Sequence, residues 1–179
     1  MKTAIVSLIC CCAVTSGAGP LDVCQLFDRV NDLNGRILRI RGELRPSPEG
    51  LWLAGTQCKH VSVGGLVWPA ILALDFSSST TIDTDPGFVS DRKSLDRVPS
   101  PTSTGGNRRR VFVTYVGLFE TRPNWSQWVV TGSDGRPWGI GFGHLNTAPG
   151  RIILKVAEKF EIQSATGQDE DAKKGKAAH

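Results

Sequence analysis

The sequence predicts a mainly β domain, a small OB-like Greek-key barrel of five to six strands with one N-terminal helix. Three observations predict it. A single apolar period of 3.6 residues stands near the N-terminus. After it the pattern switches to alternation with period two. Turn residues then separate one alternating run from the next. The chain has 179 residues, 40% hydrophobic and 21% charged, which suits one folded domain rather than a disordered chain. No apolar run approaches the ~18 residues of a membrane-spanning helix, so no transmembrane segment is predicted. A net charge of +4 is too mild to mark a nucleic-acid binder by charge alone.

Residues 1–18 have the form of a signal peptide. Lys2 supplies the positive start, Ala4 to Val14 is apolar, and the small Ser16 and Ala18 place cleavage after Ala18. The chain is therefore expected to be exported, periplasmic or extracellular. A short buried helix is one alternative. A lipoprotein is another, because of Cys10-Cys11-Cys12. A lipidated cysteine follows a small residue, however, and Ile9, Cys10 and Cys11 are neither Gly nor Ala. Cleavage would leave Cys24 and Cys58 and, with Lys2 gone, lower the net charge from +4 to +3. Two cysteines in an exported chain predict one disulfide, two free buried thiols being the alternative. Closing the loop of about 34 residues between them would stabilise the fold by ~3–4 kcal/mol on the chain-entropy model. With no C-x-x-C and with His60, His144 and His179 scattered, no metal or cofactor is predicted.

The domain is expected over residues 19–163. Residues 22–33 read as an amphipathic helix, with Val23, Leu26, Phe27, Val30 and Leu33 on one face. Asp22 and Gln25 form a capping-box pattern, and Asn34-Gly35 ends the helix. In Arg36–Arg45, Leu38, Ile40 and Leu44 share a face opposite Arg39, Arg41, Glu43 and Arg45, as in a strand with one wet face. Gly42 suggests a bulge or bend there. Residues 46–50 are a turn, and Leu51–Ala54 returns as the second strand of a hairpin.

Leu66–Leu74 reads as a buried strand broken by Pro69. Residues 75–107, rich in Ser, Thr, Asp, Pro and Gly, read as a long surface excursion with one helical turn near Asp91–Arg97. Arg110–Phe119 is apolar on both faces and should be central. Ser133-Asp134-Gly135 is a turn. Arg151–Ile162 is the last strand. A helix can be drawn through Ile152, Ile153, Val156, Ala157 and Phe160, but β-branched residues favour the strand. Residues 164–179 are small and charged, a disordered tail by composition.

Taken in order, these residues resemble a group of small secreted bacterial proteins with OB-like barrels and no assigned activity. The likeness rests on Val23-Cys24 opening a helix, Asn34-Gly35-Arg36 leading into a strand with Arg41-Gly42, Cys58, and Val116-Gly117-Leu118-Phe119. Its most specific piece is Gly141-Phe142-Gly143-His144-Leu145, followed by Pro149. It covers roughly residues 22–162; residues 75–107 and Arg108-Arg109-Arg110 depart from it. The resemblance implies a fold and no chemistry.

Several candidate sites stand beside blander readings. Gly139, Gly141 and Gly143 alternate and offer either a flat ligand platform or a corner packed on a tryptophan. They lack the strand-to-helix setting of a phosphate loop. Histidine as a residue type titrates near neutrality, so His144 could serve a hydrolase, although a lone histidine is more often a structural hydrogen-bonder. Ser126 and Ser133 lack a G-x-S-x-G setting, and Asp134 is the nearest carboxylate in sequence. Asp83 and Asp85 lack the rest of a calcium loop. Arg39, Arg41 and Arg45, with Arg108–Arg110 and Trp125, Trp128 and Trp138, could line a basic aromatic groove for single-stranded nucleic acid or another anionic polymer. Ion pairing and burial are the competing readings, and export argues against nucleic acid. The expectation is an exported, non-enzymatic binding module. His144, Trp138, Trp125, Arg39 and Arg41 are its candidate ligand face, and an envelope or extracellular protein or glycan its unknown partner.

Overall fold

Asp22 does locally what its neighbours dictate. Its carboxylate accepts the Cys24 amide at 2.8 Å while the Gln25 side chain accepts the Asp22 amide at 3.0 Å, a complete capping box. A computed structural model describes residues 19–47, 50–76, 90–101 and 109–164. The expected helix is present in two pieces, α1 (Val23–Asp28) and α2 (Val30–Leu33), because Arg29 leaves helical backbone at φ −126°. Val23, Leu26, Phe27 and Leu33 are buried.

In chain order the strands are β1 (Leu21–Asp22), β2 (Ile37–Ser47), β3 (Gly50–Ala54), β4 (His60–Val63), β5 (Leu66–Pro69), β6 (Ile71–Asp75), β7 (Arg109–Thr121), β8 (Val129–Thr131), β9 (Pro137–Gly139) and β10 (Gly150–Ser164). A one-turn helix, α3 (Arg92–Asp96), lies where a helical turn is expected, its N-terminus capped by Asp91. The protein is mainly β, with a six-stranded sheet and two small two-stranded sheets among the described residues. β2 pairs antiparallel with β3, and β3 antiparallel with β6. β6 then pairs parallel with β10, β10 antiparallel with β7, and β7 antiparallel with β2, so the pairing returns to its first long strand. β1 adds two residues in parallel to β2.

The inward side chains of this sheet form the core. Val111, Val113, Tyr115 and Phe119 of the central strand β7 meet Ile40, Leu44, Leu53, Leu72, Ile152 and Leu154. Each such side chain contributes roughly 1.5–3 kcal/mol by leaving water. Phe27 of α1 packs edge-on against Phe119, 6.2 Å between ring centres. Burial pushes the Tyr115 hydroxyl up to about 12.

Two features join the N-terminus to the sheet. Cys24 is disulfide-bonded to Cys58, with Cα atoms 6.0 Å apart, as the cysteine count predicts. Asp22 also accepts the Thr56 amide at 3.2 Å and the Thr56 hydroxyl at 2.6 Å. No helix among the described residues is long and apolar enough to cross a membrane.

Several expectations need correcting. Leu66–Leu74 is two strands in two different sheets: β5 pairs with β4, and the chain crosses at Ala70 to β6. Gly42 carries no bulge, since β2 runs against β7 without a register shift. The irregularities lie on β10, between Leu154 and Val156 and between Ala157 and Lys159. That segment is strand rather than helix. Residues 1–18, residues 77–89 with Asp83 and Asp85, Arg108, and residues 165–179 of the expected 164–179 tail lie outside the described residues, while Ser164 ends β10.

Candidate functional site

Gly64 and Gly65, both at positive φ, turn β4 back as β5 and make a hairpin. β8 and β9 make a second hairpin around Ser133-Asp134-Gly135, where the Asp134 carboxylate accepts the Arg136 amide at 3.0 Å. Trp68 of β5 joins the two. It is 5% exposed, and its indole N–H donates to the Val63 carbonyl at 3.1 Å. On one side its ring meets Trp125, with centroids 5.0 Å apart. On the other lies the backbone of Gly139, where a Cβ would overlap the Trp68 ring. Only a glycine lets β9 come that close.

Beyond β9 the chain folds back over the outer surface of β3 and β6. Phe142 and Ala148 pair through their backbones and pack with Trp52 and Ala73 in a second apolar cluster. Gly143, at φ 75°, lies against the Trp52 ring, and a Cβ there would sit 2.5 Å from it. The Arg122 guanidinium is stacked between Trp128 (4.0 Å) and Phe142 (4.3 Å) and donates to the Gly141 carbonyl at 3.1 Å. Burial lowers its pKa, as does the neighbouring Arg151 charge. This packing fixes the segment that ends in the turn His144–Asn146. There Leu145 takes left-handed backbone, φ 60°, at a cost of about 1–2 kcal/mol for a non-glycine residue.

Between the hairpins and this turn lies a cleft of about 340 Å³. Leu66, Val67, Pro69, Pro137, Trp138 and Leu145 supply apolar walls, and Asn146 and Thr147 add polar groups to the lining. Val67 is 77% exposed, Leu145 59% and Trp138 50%. The cleft can take an apolar or ring-bearing group flat against an aromatic wall, with hydrogen bonds at its rim.

The sequence-derived candidates divide. Trp138 lines the cleft. Trp125 does not line the cleft: it is 7% exposed, locked under Gly64 and against Trp68. His144 starts the turn at the cleft's edge; its side chain lies outside the described residues. Arg39 and Arg41 are on the outer face of β2, not in the cleft lining, and each holds a glutamate of β10. The Arg39–Glu158 pair is 2.8 Å and the Arg41–Glu161 pair 2.7 Å. Farther along, Glu43 receives both arms of Arg110 at 2.9 Å and Arg45 at 3.0 Å. The Arg110 hydrogen bonds hold the Glu43 carboxyl below its ordinary range against the opposing effect of burial. The charges of Arg39, Arg41, Arg45 and Arg110 are thus compensated within the protein. The alternating glycines do not share one extended face; Gly139 meets Trp68 and Gly143 meets Trp52, as in a corner packed on tryptophan.

Among the described residues no group of three or more His, Cys, Asp or Glu is gathered as a metal site would need. Sequence reasoning missed Leu66, Val67, Pro69, Pro137 and Leu145. The signal for the first three was Gly64-Gly65 between two β-prone runs. No family model, characterised protein or solved structure matches this chain.

Proposed function

We propose that this chain is an exported OB-like binding module whose ligand site is the cleft between the β4–β5 and β8–β9 hairpins. Five strands, β2, β3, β6, β7 and β10, support the OB reading. The first three form a meander, the third lies parallel to the fifth, and the fourth pairs with the first. The leader-like N-terminus and the Cys24–Cys58 bridge support export.

In OB folds the second and third strands offer the ligand face. Here Trp52 and Ala73 on those strands are covered by the chain's own Phe142 and Ala148. The open apolar surface is displaced to the hairpins. That displacement, with Val67, Trp138 and Leu145 exposed around one cleft, is the observation that carries the proposal. The partner is an envelope or extracellular protein or glycan that presents an apolar or ring-bearing group, and the module binds it without chemistry.

The test is capture from envelope extract by wild type and Trp138→Ser in parallel. We expect a partner held by wild type and lost at least tenfold in the variant, while thermal stability shifts by less than ~0.5 kcal/mol, as at ordinary surface positions. Identical partner profiles for the two proteins would remove the cleft from consideration.

A further inference from the structure

Among the described residues, no strand covers the edge of β10 beyond Ala157. On one side β10 pairs with β7 along its whole length. On the other, β6 covers Arg151–Ile153, and the α3 segment then takes over. The Asp91 amide donates to the Lys155 carbonyl at 2.7 Å, and the Ala157 amide donates to the Ser94 hydroxyl at 3.0 Å. From Glu158 onward no strand among the described residues pairs with that edge. The side chains there are not those of a finished surface. Phe160 and Ile162 lie opposite the buried Val113 and Val111 of β7, on the core side of the sheet, yet are 42% and 49% exposed.

We propose that two copies of this chain pair through this edge, antiparallel, about a two-fold axis at Phe160. The charge pattern selects that partner. In a symmetric antiparallel register each residue faces the one equally far beyond Phe160. Lys159 then faces Glu161 of the partner subunit, Glu161 faces Lys159 of the partner subunit, and the two phenylalanines meet. A parallel register would set lysine against lysine and glutamate against glutamate. An edge lysine ordinarily deters strand addition. Here its ammonium already rests on Glu161 of the same strand at 2.9 Å, so the deterrent charge is compensated. Pairing would continue the β2–β7–β10 sheet into the second copy and cover Phe160 and Ile162, which the single chain leaves half in water.

Sedimentation equilibrium on the whole protein tests this independently of the cleft and its ligand. We expect a concentration-dependent dimer. Lys159→Glu should weaken it by about tenfold or more, because two attractive cross-strand pairs become repulsive. The swap Lys159→Glu/Glu161→Lys should restore it. Far-UV circular dichroism and thermal melting confirm that each variant folds. A protein that stays monomeric at all concentrations overturns the proposal. So does a dimer indifferent to Lys159→Glu, and so does weakening without rescue by the swap.

Discussion

On the outer face of β2, β7 and β10, cations and carboxylates answer one another: Arg39 with Glu158, Arg41 and Lys159 with Glu161, Arg45 and Arg110 with Glu43. Around the hairpin cleft the opposite holds, and Val67, Trp138 and Leu145 stand in water. The first region is rich in the charges that suggest a polymer groove, but its strands are arranged so that these charges meet internally. The second carries little charge and leaves apolar area uncovered. Exposed charge is cheap on any protein surface, whereas a cluster of exposed apolar side chains around a concavity marks a contact surface. Polarity alone therefore does not point to the cleft.

Three substitutions sharpen or break this contrast, in falling order of effect. Trp68 belongs to both the cleft wall and the core, so Trp68→Ala should cost ~3–5 kcal/mol in urea unfolding, as large aromatic truncations do. A loss below about 1 kcal/mol, the range of ordinary exposed sites, would mean the hairpins are not anchored through this ring.

Glu43→Gln comes next. The Glu43 carboxyl is held below its ordinary range by Arg110. Its stabilisation is thus present above the unfolded carboxylate range and lost as pH falls through the lowered folded value. The variant should lose ~1–3 kcal/mol at neutral pH and show a flatter acid limb than wild type. An unchanged acid limb would show that Glu43 is not what ties β2 to β7 there.

The smallest effect is Arg39→Ala. The Arg39 side chain is 52% exposed, so removing its pair with Glu158 should cost ~0–1 kcal/mol and nothing measurable in 1 M salt. A larger, salt-resistant loss would mean that this face is a structural clamp rather than a compensated surface.

Local chemistry was legible in the sequence. Asp22 and Gln25 announced a capping box, Asp91–Arg97 a helical turn, and the Cys24 and Cys58 pair a bridge, because each depends on near neighbours or on counting. β7 was legible because successive residues from Val111 to Tyr115 are buried, so its run is apolar on both faces. The β5–β6 division was hidden because the apolar run continues through the point where the chain changes sheets. The two bulges of β10 were hidden because a bulge exchanges faces without changing residue types. At the site, nothing local separates Trp125 from Trp138. Gly64 and Trp68, some 60 residues earlier, bury one and leave the other out. The arginine stripe was visible, but its partners Glu158 and Glu161 lie 119 and 120 residues away, beyond any local pattern.

The return of the pairing to β2 also sets a timetable. Ile37 must find Leu118, and Ala73 must find Arg151, so the sheet is built from distant partners. Such topologies close slowly, since each long loop must be ordered before any contact rewards it. β10 is the shared neighbour of β6 and β7, and it is made after both. Until Gly150–Ser164 docks, both earlier strands present unpaired edges to whatever is nearby. The interval before β10 docks is when this chain is most exposed to association with the wrong partner.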